Sequence, residues 1–357
     1  MKTHYIIPIF VPFQGCKYHC VFCNQDSITG SDEKATGPKT TGLIRQYLET
    51  MPKHRPVHIE VAFYGGSFTG IPLDLQRELL APASQALADG RIHGIRLSTR
   101  PDYISEHILD QLSQYGVTTI EIGVQSMNDQ VLLASNRGHN RAQVIDACKL
   151  IRDKGFQLGI QLMIGLPEDT PATWRDTVNE VVSIRPDCVR IYPTLVIKGT
   201  TLAEWYRQGL YQPLGLEEAV SLATGAMKQL LCHGIQVIRV GLQPTEDIAP
   251  GAELMAGPFH PAFRQLVDGR VALDAMHQAI EFHHHTKDKL TVSVNPRQES
   301  IFRGQKNVNR DALKEQCNLA QVDFECDIGL AEGTFRLESD SISEITYSIH
   351  QILCKMA

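Results

Sequence analysis

The sequence predicts an α/β protein: a partial (β/α)6 barrel of parallel strands over residues 1–242, then a C-terminal α+β extension over 243–357. From residue 5 to about 242, short apolar runs alternate with helix-length segments, the rhythm of βαβ units rather than of hairpins. Within the runs apolar and polar residues alternate, so one face packs on helices while the other lines something polar. The chemistry-bearing residues fall at the C-terminal ends of the runs, the edge where parallel α/β barrels keep their active sites.

Taken in order, the strand candidates are Tyr5–Val11, Val57–Tyr64, Gly94–Thr99, Thr118–Gln125, Phe156–Ile164 and Asp187–Thr194, with a seventh at Gln236–Leu242. Parallel strands covered on both faces read as unbroken apolar runs. These do not. Ile59, Val61 and Phe63 alternate with His58, Glu60 and Tyr64, and Ile120, Ile122 and Val124 with Glu121, Gly123 and Gln125. Leu158, Ile160 and Leu162 alternate with Gln157, Gly159 and Gln161, and Val189 and Ile191 with Arg190 and Tyr192. A curved parallel sheet around a polar cavity satisfies both the alternation and the long connections. Asn140 is placed to cap a helix that carries Val144, Cys148 and Ile151 on one face and stops at Gly155. Thr170 caps another whose first residue is Pro171. Beyond residue 243, Pro244, Pro250, Gly251, Gly257, Pro258 and Pro261 mark a linker or irregular lid. A helix near Ala272–Phe282 and a strand at Leu290–Val294 follow, and the region reads as substrate-binding or lid.

Composition narrows the class. With 43% hydrophobic and 21% charged residues, the chain is an ordinary globular protein. Lys+Arg 34 against Asp+Glu 40 leaves −6, so nucleic-acid binding needs a local patch. The best is Asn295–Lys314, with Arg297, Arg303, Lys306, Arg310 and Lys314 against Glu299 and Asp311; a solvated surface is the alternative. No uncharged run approaches the ~20 residues of a membrane span. Lys2 and the apolar stretch before Cys16 do not read as a lipoprotein signal, because Pro8 and Pro12 interrupt the stretch and Gln14 replaces a small residue. Nine cysteines, an odd number, point to a reducing, cytoplasmic setting with metal or redox use.

Directly after the first strand, Cys16, Cys20 and Cys23 stand in C-x3-C-x2-C spacing. Three thiolates on one loop can wrap one face of a metal centre. Structural zinc takes four ligands, and His19 or His4 is available as the fourth. Iron–sulfur electron carriers use four cysteines; three on a [4Fe–4S] cluster leave one iron open to bind substrate.

With the aromatic Phe22 before the last cysteine, this loop resembles the signature of the radical S-adenosylmethionine superfamily. Tyr64-Gly65-Gly66-Ser67 resembles the segment that accepts the methionine ammonium, where glycines let carbonyls approach closely. Gly123-Val124-Gln125-Ser126 and Gly165-Leu166-Pro167 resemble the fourth- and fifth-strand motifs. Arg137, before Gly138-His139, resembles the arginine whose fork pairs with the cofactor carboxylate. The resemblance implies a [4Fe–4S] cluster on Cys16, Cys20 and Cys23, and S-adenosylmethionine among Phe22, Gly65, Gly66, Ser67, Ser98, Arg100, Gln125, Arg137 and Gln161. It also implies a ferredoxin- or flavodoxin-like electron donor, and a 5′-deoxyadenosyl radical that abstracts hydrogen from a substrate in the cavity.

Within the superfamily, Ser98-Thr99-Arg100-Pro101-Asp102, the run Arg190–Thr200, and Trp205 with Gly209-Leu210-Tyr211 resemble the catalytic subunit of the Elongator tRNA-modifying complex. The likeness spans roughly residues 5–242 and makes tRNA the favoured substrate class. Two departures stand. That family has a carboxylate where Ser98 stands, and the residues after 242 hold no glycine-rich loop for coenzyme A, so acetyl transfer is not assigned to this chain alone. A small-molecule or tetrapyrrole substrate, as in the coproporphyrinogen dehydrogenase branch, is the alternative. A non-catalytic cluster-bearing haem or cofactor carrier is a third reading. Glu121 and Gln161 face the expected cavity, either to orient ribose or substrate or as a buried network supporting the barrel. Asp102 reads as a helix cap, and Tyr192 as a packed barrel residue with a substrate or radical-relay role as the alternative. Cys148, Cys188 and Cys232 read as core thiols, Cys317, Cys326 and Cys354 as lacking ligand spacing, and His283-His284-His285 as a solvated helix end.

Overall fold

Six strands follow one another in chain order, each parallel to the next: β1 (His4–Val11), β2 (His58–Gly65), β3 (Gly94–Thr99), β4 (Thr119–Gln125), β5 (Gln157–Ile164) and β6 (Cys188–Pro193). The computed structural model describes residues 3–11, 15–24, 35–52, 54–242, 253–282, 289–339 and 344–355. Helices Gly37–Thr50, Leu73–Ala88, Glu106–Gln114, Arg141–Asp153 and Pro171–Ile184 connect the strands, as parallel neighbours require. The result is the expected α/β partial barrel.

Register stacks the polar positions on one face. Ser98 lies beside Glu121, Glu121 beside Gly159, Gly123 beside Gln161, and Gln161 beside Arg190. The alternate residues, among them Val61, Phe63, Leu97, Ile122, Ile160 and Ile191, are fully buried in the core. Both expected helix starts carry a reciprocal capping box, Asn140 with Gln143 and Thr170 with Thr173. Asp102 does not cap the helix after it. Ser105 does, accepting the Ile108 N–H, because the Asp102 carboxylate is already held by Arg100.

Packing divides the chain into two compact units, Met1–Leu214 with Gln243–Pro258, and Gly215–Leu242 with Phe259–Ala357. In the first, β7 (Val196–Ile197) pairs antiparallel with β9 (Leu254–Ala256). Pro244, Pro250, Gly251 and His283-His284-His285 lie outside the described residues. The second unit contains β8 (Gln236–Val240) and helices Leu216–Cys232 and Phe263–Glu281. The latter starts well before Ala272, because Phe263, Val267 and Val271 extend its buried stripe up to the proline-rich turn. A mixed sheet runs in the order β11-β10-β12-β13, from Gln321–Cys326, Lys289–Val294, Thr334–Ser339 and Ile345–Ser348 respectively.

The basic stretch Asn295–Lys314 is largely answered locally. Arg297 pairs with Glu332, Arg303 with Glu299 and Arg310 with Asp311, while buried Asn309 holds the carbonyls of Gly269 and Phe302. Burial pushes the thiols of Cys148 up to about 12 and Cys188 up to about 11, the state of inert core cysteines. Cys232 differs from the core reading: it is only partly buried and hydrogen-bonds with Cys354. Among the described residues, no helix is long and apolar enough to cross a membrane.

Candidate functional site

The loop after β1 carries Cys16, Cys20 and Cys23, each partly buried. Its backbone is gripped from three later segments. Val21 donates to the Ser135 carbonyl at 3.2 Å and accepts from Leu202 N–H at 2.8 Å. Asn136 Nδ2 donates to His19 O at 2.8 Å, and Asn24 Nδ2 to Lys198 O at 2.9 Å. The Phe22 ring packs with Trp205 against an apolar cluster of Val21, Val196, Leu202 and Tyr211. Cys16 Sγ lies 3.2 Å from the Ser67 hydroxyl, and Arg137 Nη1 donates to Cys20 Sγ at 3.1 Å.

A single zinc ion fits this loop poorly. Three thiolates fill only three of the four positions that a tetrahedral zinc ion takes. His4 is not available as a fourth ligand. It begins β1, and at ~3.3 Å per residue it stands roughly 23 Å from the strand end that leads into the loop.

Around the loop, buried polar atoms without a hydrogen-bond partner gather at one edge. They are Arg100 Nη1, Gln125 Oε1, Ser135 Oγ, Arg137 Nε, His139 Nδ1 and Thr194 Oγ1; among the described residues only Thr40 Oγ1 joins them from elsewhere. Each such atom costs about 1–3 kcal/mol. A concentration of them beside three cysteines is the mark of a surface built for a polar ligand, and the residues fit the cluster and cofactor that the motif implies.

Backbone geometry shapes the same edge. Gln125 adopts φ 69°, left-handed for a residue with a side chain, where the β4–β5 register shifts between Gly123 and Gln125. A Cβ on Gly123 would sit 2.9 Å from Gln125 Nε2 and 3.2 Å from Arg137 Nη2, so a larger residue would push both side-chain ends away from this strand. Gly65 has φ 111°, and a Cβ there would lie 2.8 Å from Val11 O, which accepts the Gly66 N–H at 2.9 Å. His139 Nε2 meets Val124 O at 3.3 Å, which assigns the proton to Nε2. Burial, with Arg137 and Arg100 nearby, lowers this imidazole to about 3 and keeps it neutral.

Arg100 is occupied beneath the loop. It forks onto Asp102 at 2.9 and 3.1 Å, reaches the Arg137 carbonyl, and stacks on Tyr18 and Tyr103. Tyr103, which sequence reasoning missed, accepts the Lys17 N–H at 2.9 Å. Ser135 and Asn136 were missed as well; their only sequence signal is their position just ahead of Arg137.

Below the rim lies a closed ionic network. Glu121, 1% exposed, accepts from Arg96 at 3.0 Å and from both Arg190 Nη2 and Nε, while Arg96 also pairs with Glu60 at 2.8 Å. Burial alone would raise the Glu121 carboxyl, but Arg190, then Arg96 and Gln161, hold it below the ordinary carboxylate range. Arg190 also donates to Tyr64, whose hydroxyl is pushed up to about 12 by burial and by Glu121. Gln161 Nε2 reaches the Ser98 hydroxyl at 3.1 Å and Glu121 at 3.4 Å. Glu121 is therefore part of a supporting network, with Ser98 and Gln161 at its upper margin. A cleft of about 330 Å³ beside Leu166, Pro167, Asp169, Trp205 and Tyr211 flanks the site, and Tyr211 donates to Gly165 O at 2.6 Å.

Two families match in succession: the radical SAM superfamily over residues 10–181 and the radical SAM C-terminal domain over residues 186–272. The chain is 27% identical over 258 residues to a tRNA uridine(34) acetyltransferase of Methanocaldococcus infernus, covering 62% of this chain and 48% of that protein. It is 31% identical over 181 residues to Elongator complex protein 3 of Schizosaccharomyces pombe, covering 44% and 33%. The chain thus spans about half, or less, of the length of these relatives. In fold it resembles the archaeal Methanocaldococcus infernus Elp3 with a TM-score of 0.59 at 23% identity, over 75% of this chain and 62% of that one. The chain belongs to the radical SAM superfamily of enzymes.

Proposed function

We propose that this radical SAM superfamily member uses a [4Fe–4S] cluster on Cys16, Cys20 and Cys23 to cleave S-adenosylmethionine and abstract hydrogen from a tRNA. What carries the reading is the meeting, at one edge of the sheet, of a three-cysteine loop with unanswered buried polar atoms. When bound, the cluster and S-adenosylmethionine supply the hydrogen-abstraction chemistry; the chain supplies orientation and exclusion of water.

Its residues divide that work. Arg137 Nη1 steadies the Cys20 sulfur, while its unpartnered Nε is a donor for a carboxylate. The Gly65-Gly66 backbone permits close approach of an ammonium, and Gln125 Oε1, at the end of β4, is a buried acceptor without a partner. Ser67 orients Cys16, and Phe22 and Arg100 fix the loop. Ser98 and Gln161 present a hydroxyl and an amide above the ionic network. His139 Nδ1 carries no proton and stays an acceptor. A ferredoxin- or flavodoxin-like protein provides the electron, and residues 243–357 serve substrate binding or closure. The tRNA assignment rests on the relatives named above and on the Elongator-like motifs; acetyl transfer is not carried over.

The test is anaerobic. Reconstituted protein given dithionite and S-adenosylmethionine should release 5′-deoxyadenosine; binding without any cleavage would overturn catalysis. Mass spectrometry of tRNA nucleosides from cells with and without the protein should show one modified nucleoside lost, and unchanged profiles would remove tRNA as substrate.

A further inference from the structure

We propose a second metal site at the opposite ends of the same strands: a divalent ion of the zinc, cobalt or nickel class held by His4, His58 and Glu60. The β1–β2 register pairs His4 directly with His58, and the strand period puts Glu60 on the same face two residues on. His4 Nε2 lies 2.8 Å from Glu60 Oε2 and His58 Nε2 3.7 Å from Glu60 Oε1, and one ligand atom from each residue lies within 4.8 Å of the others. Metal bonds of ~2.0–2.1 Å in a tetrahedron place ligand atoms roughly 3.3 Å apart, so the donors need only small shifts to close on an ion.

The surroundings suit a bound ion. The Glu60 side chain is 5% exposed while the two imidazoles are 50% and 51% exposed, a buried anchor beneath an open entrance. Arg96 donates to Glu60 Oε2 and orients the carboxylate, the outer-shell support that ligating groups ordinarily have. His93 lines the same cavity of about 350 Å³, its ring 5.1 Å from His58 and its Nδ1 accepting the Ile59 N–H. Two imidazoles and one carboxylate select zinc, cobalt or nickel over calcium or magnesium, which prefer all-oxygen sites. Glu60 and Glu121 are already balanced by Arg96 and Arg190, so an open coordination position takes water or an anion, and the expected affinity is modest. At the far end of β1 from the cysteines the ion takes no part in the radical chemistry; it clips the β1–β2 pair together.

Cobalt distinguishes this site from the cysteines. Reconstituted holoprotein, its thiolates occupied by the cluster, is titrated with Co²⁺ and followed by visible d–d absorption. Saturation near one ion per chain, without a thiolate charge-transfer band and reversed by Zn²⁺, is expected. His4→Ala and His58→Ala should each weaken binding by at least about 10-fold while iron content stays unchanged. Both imidazoles are half-exposed, so these variants should fold; Glu60 is left intact because its loss would strand Arg96. The triple variant Cys16→Ser/Cys20→Ser/Cys23→Ser should retain the site. Absence of saturable binding, binding unaltered in both histidine variants, or binding lost with the cysteines would overturn the proposal.

Discussion

The waist and the rim of the same strands use the same residue types to opposite ends. At the waist, Glu60, Arg96, Glu121 and Arg190 answer one another, and Gln161 and Tyr64 complete the shell. Arg100 stands four residues beyond Arg96 on β3's continuation, and there the balance changes: Arg100, Gln125, Arg137 and His139 each keep a buried atom unanswered. Satisfied burial rigidifies a barrel, whereas unsatisfied burial is tolerated where a ligand completes it. Substitutions at the waist should therefore cost stability, and those at the rim should cost chemistry.

The largest expected effect is at the rim. Cys16→Ser, Cys20→Ser or Cys23→Ser should abolish iron binding and bring 5′-deoxyadenosine below detection while the urea midpoint hardly moves. Glu121→Ala comes next and acts in the opposite sense: leaving Arg190 without its carboxylate, and Arg96 with Glu60 alone, should cost about 3–5 kcal/mol in urea unfolding. An unaltered midpoint would break the contrast between the regions. Arg137→Gln should lower S-adenosylmethionine cleavage about 10–100-fold and make the cluster harder to reduce, since a positive charge beside Cys20 is lost; Arg137→Lys should restore part of the potential.

His139 gives a pH effect of middle size. Burial, then Arg137 and Arg100, lower its folded value from 6.5 to about 3, so below about 6.5 the unfolded chain takes up a proton that the folded one refuses. Stability should fall with acid at up to about 1.4 kcal/mol per pH unit over that window, and His139→Gln should flatten the slope. The smallest effect sharpens the comparison most. Gln125→Gly should relieve the left-handed backbone and gain up to about 1 kcal/mol, yet weaken cofactor binding in equilibrium dialysis. A destabilised variant would place Gln125 with the waist.

Much of this was legible in the residues. Alternation located all six barrel strands to within about a residue, and Asn140 and Thr170 announced their helices, because periodicity and capping are local. Asp102 was misread as a cap because its partner Arg100 competes for the same carboxylate at close range. In the basic stretch Asn295–Lys314, spacing shows Glu299 and Asp311 as local counter-charges, but the Glu332 that pairs with Arg297 lies outside the stretch and is brought there by folding. The helix Leu216–Cys232 follows the barrel rhythm in sequence, yet it groups with the second unit, a choice made by packing.

The amino-acid order by itself determined which face of each strand is polar and that three cysteines follow the first strand, since both are set by spacing within a few residues. Only the tertiary structure decided that Arg137 reaches Cys20 across 117 positions, that Phe22 anchors the loop, and that His4 lies against His58. Alternation specifies a side chain's face, but its partner depends on register and on how distant segments meet, quantities fixed only when the sheet assembles.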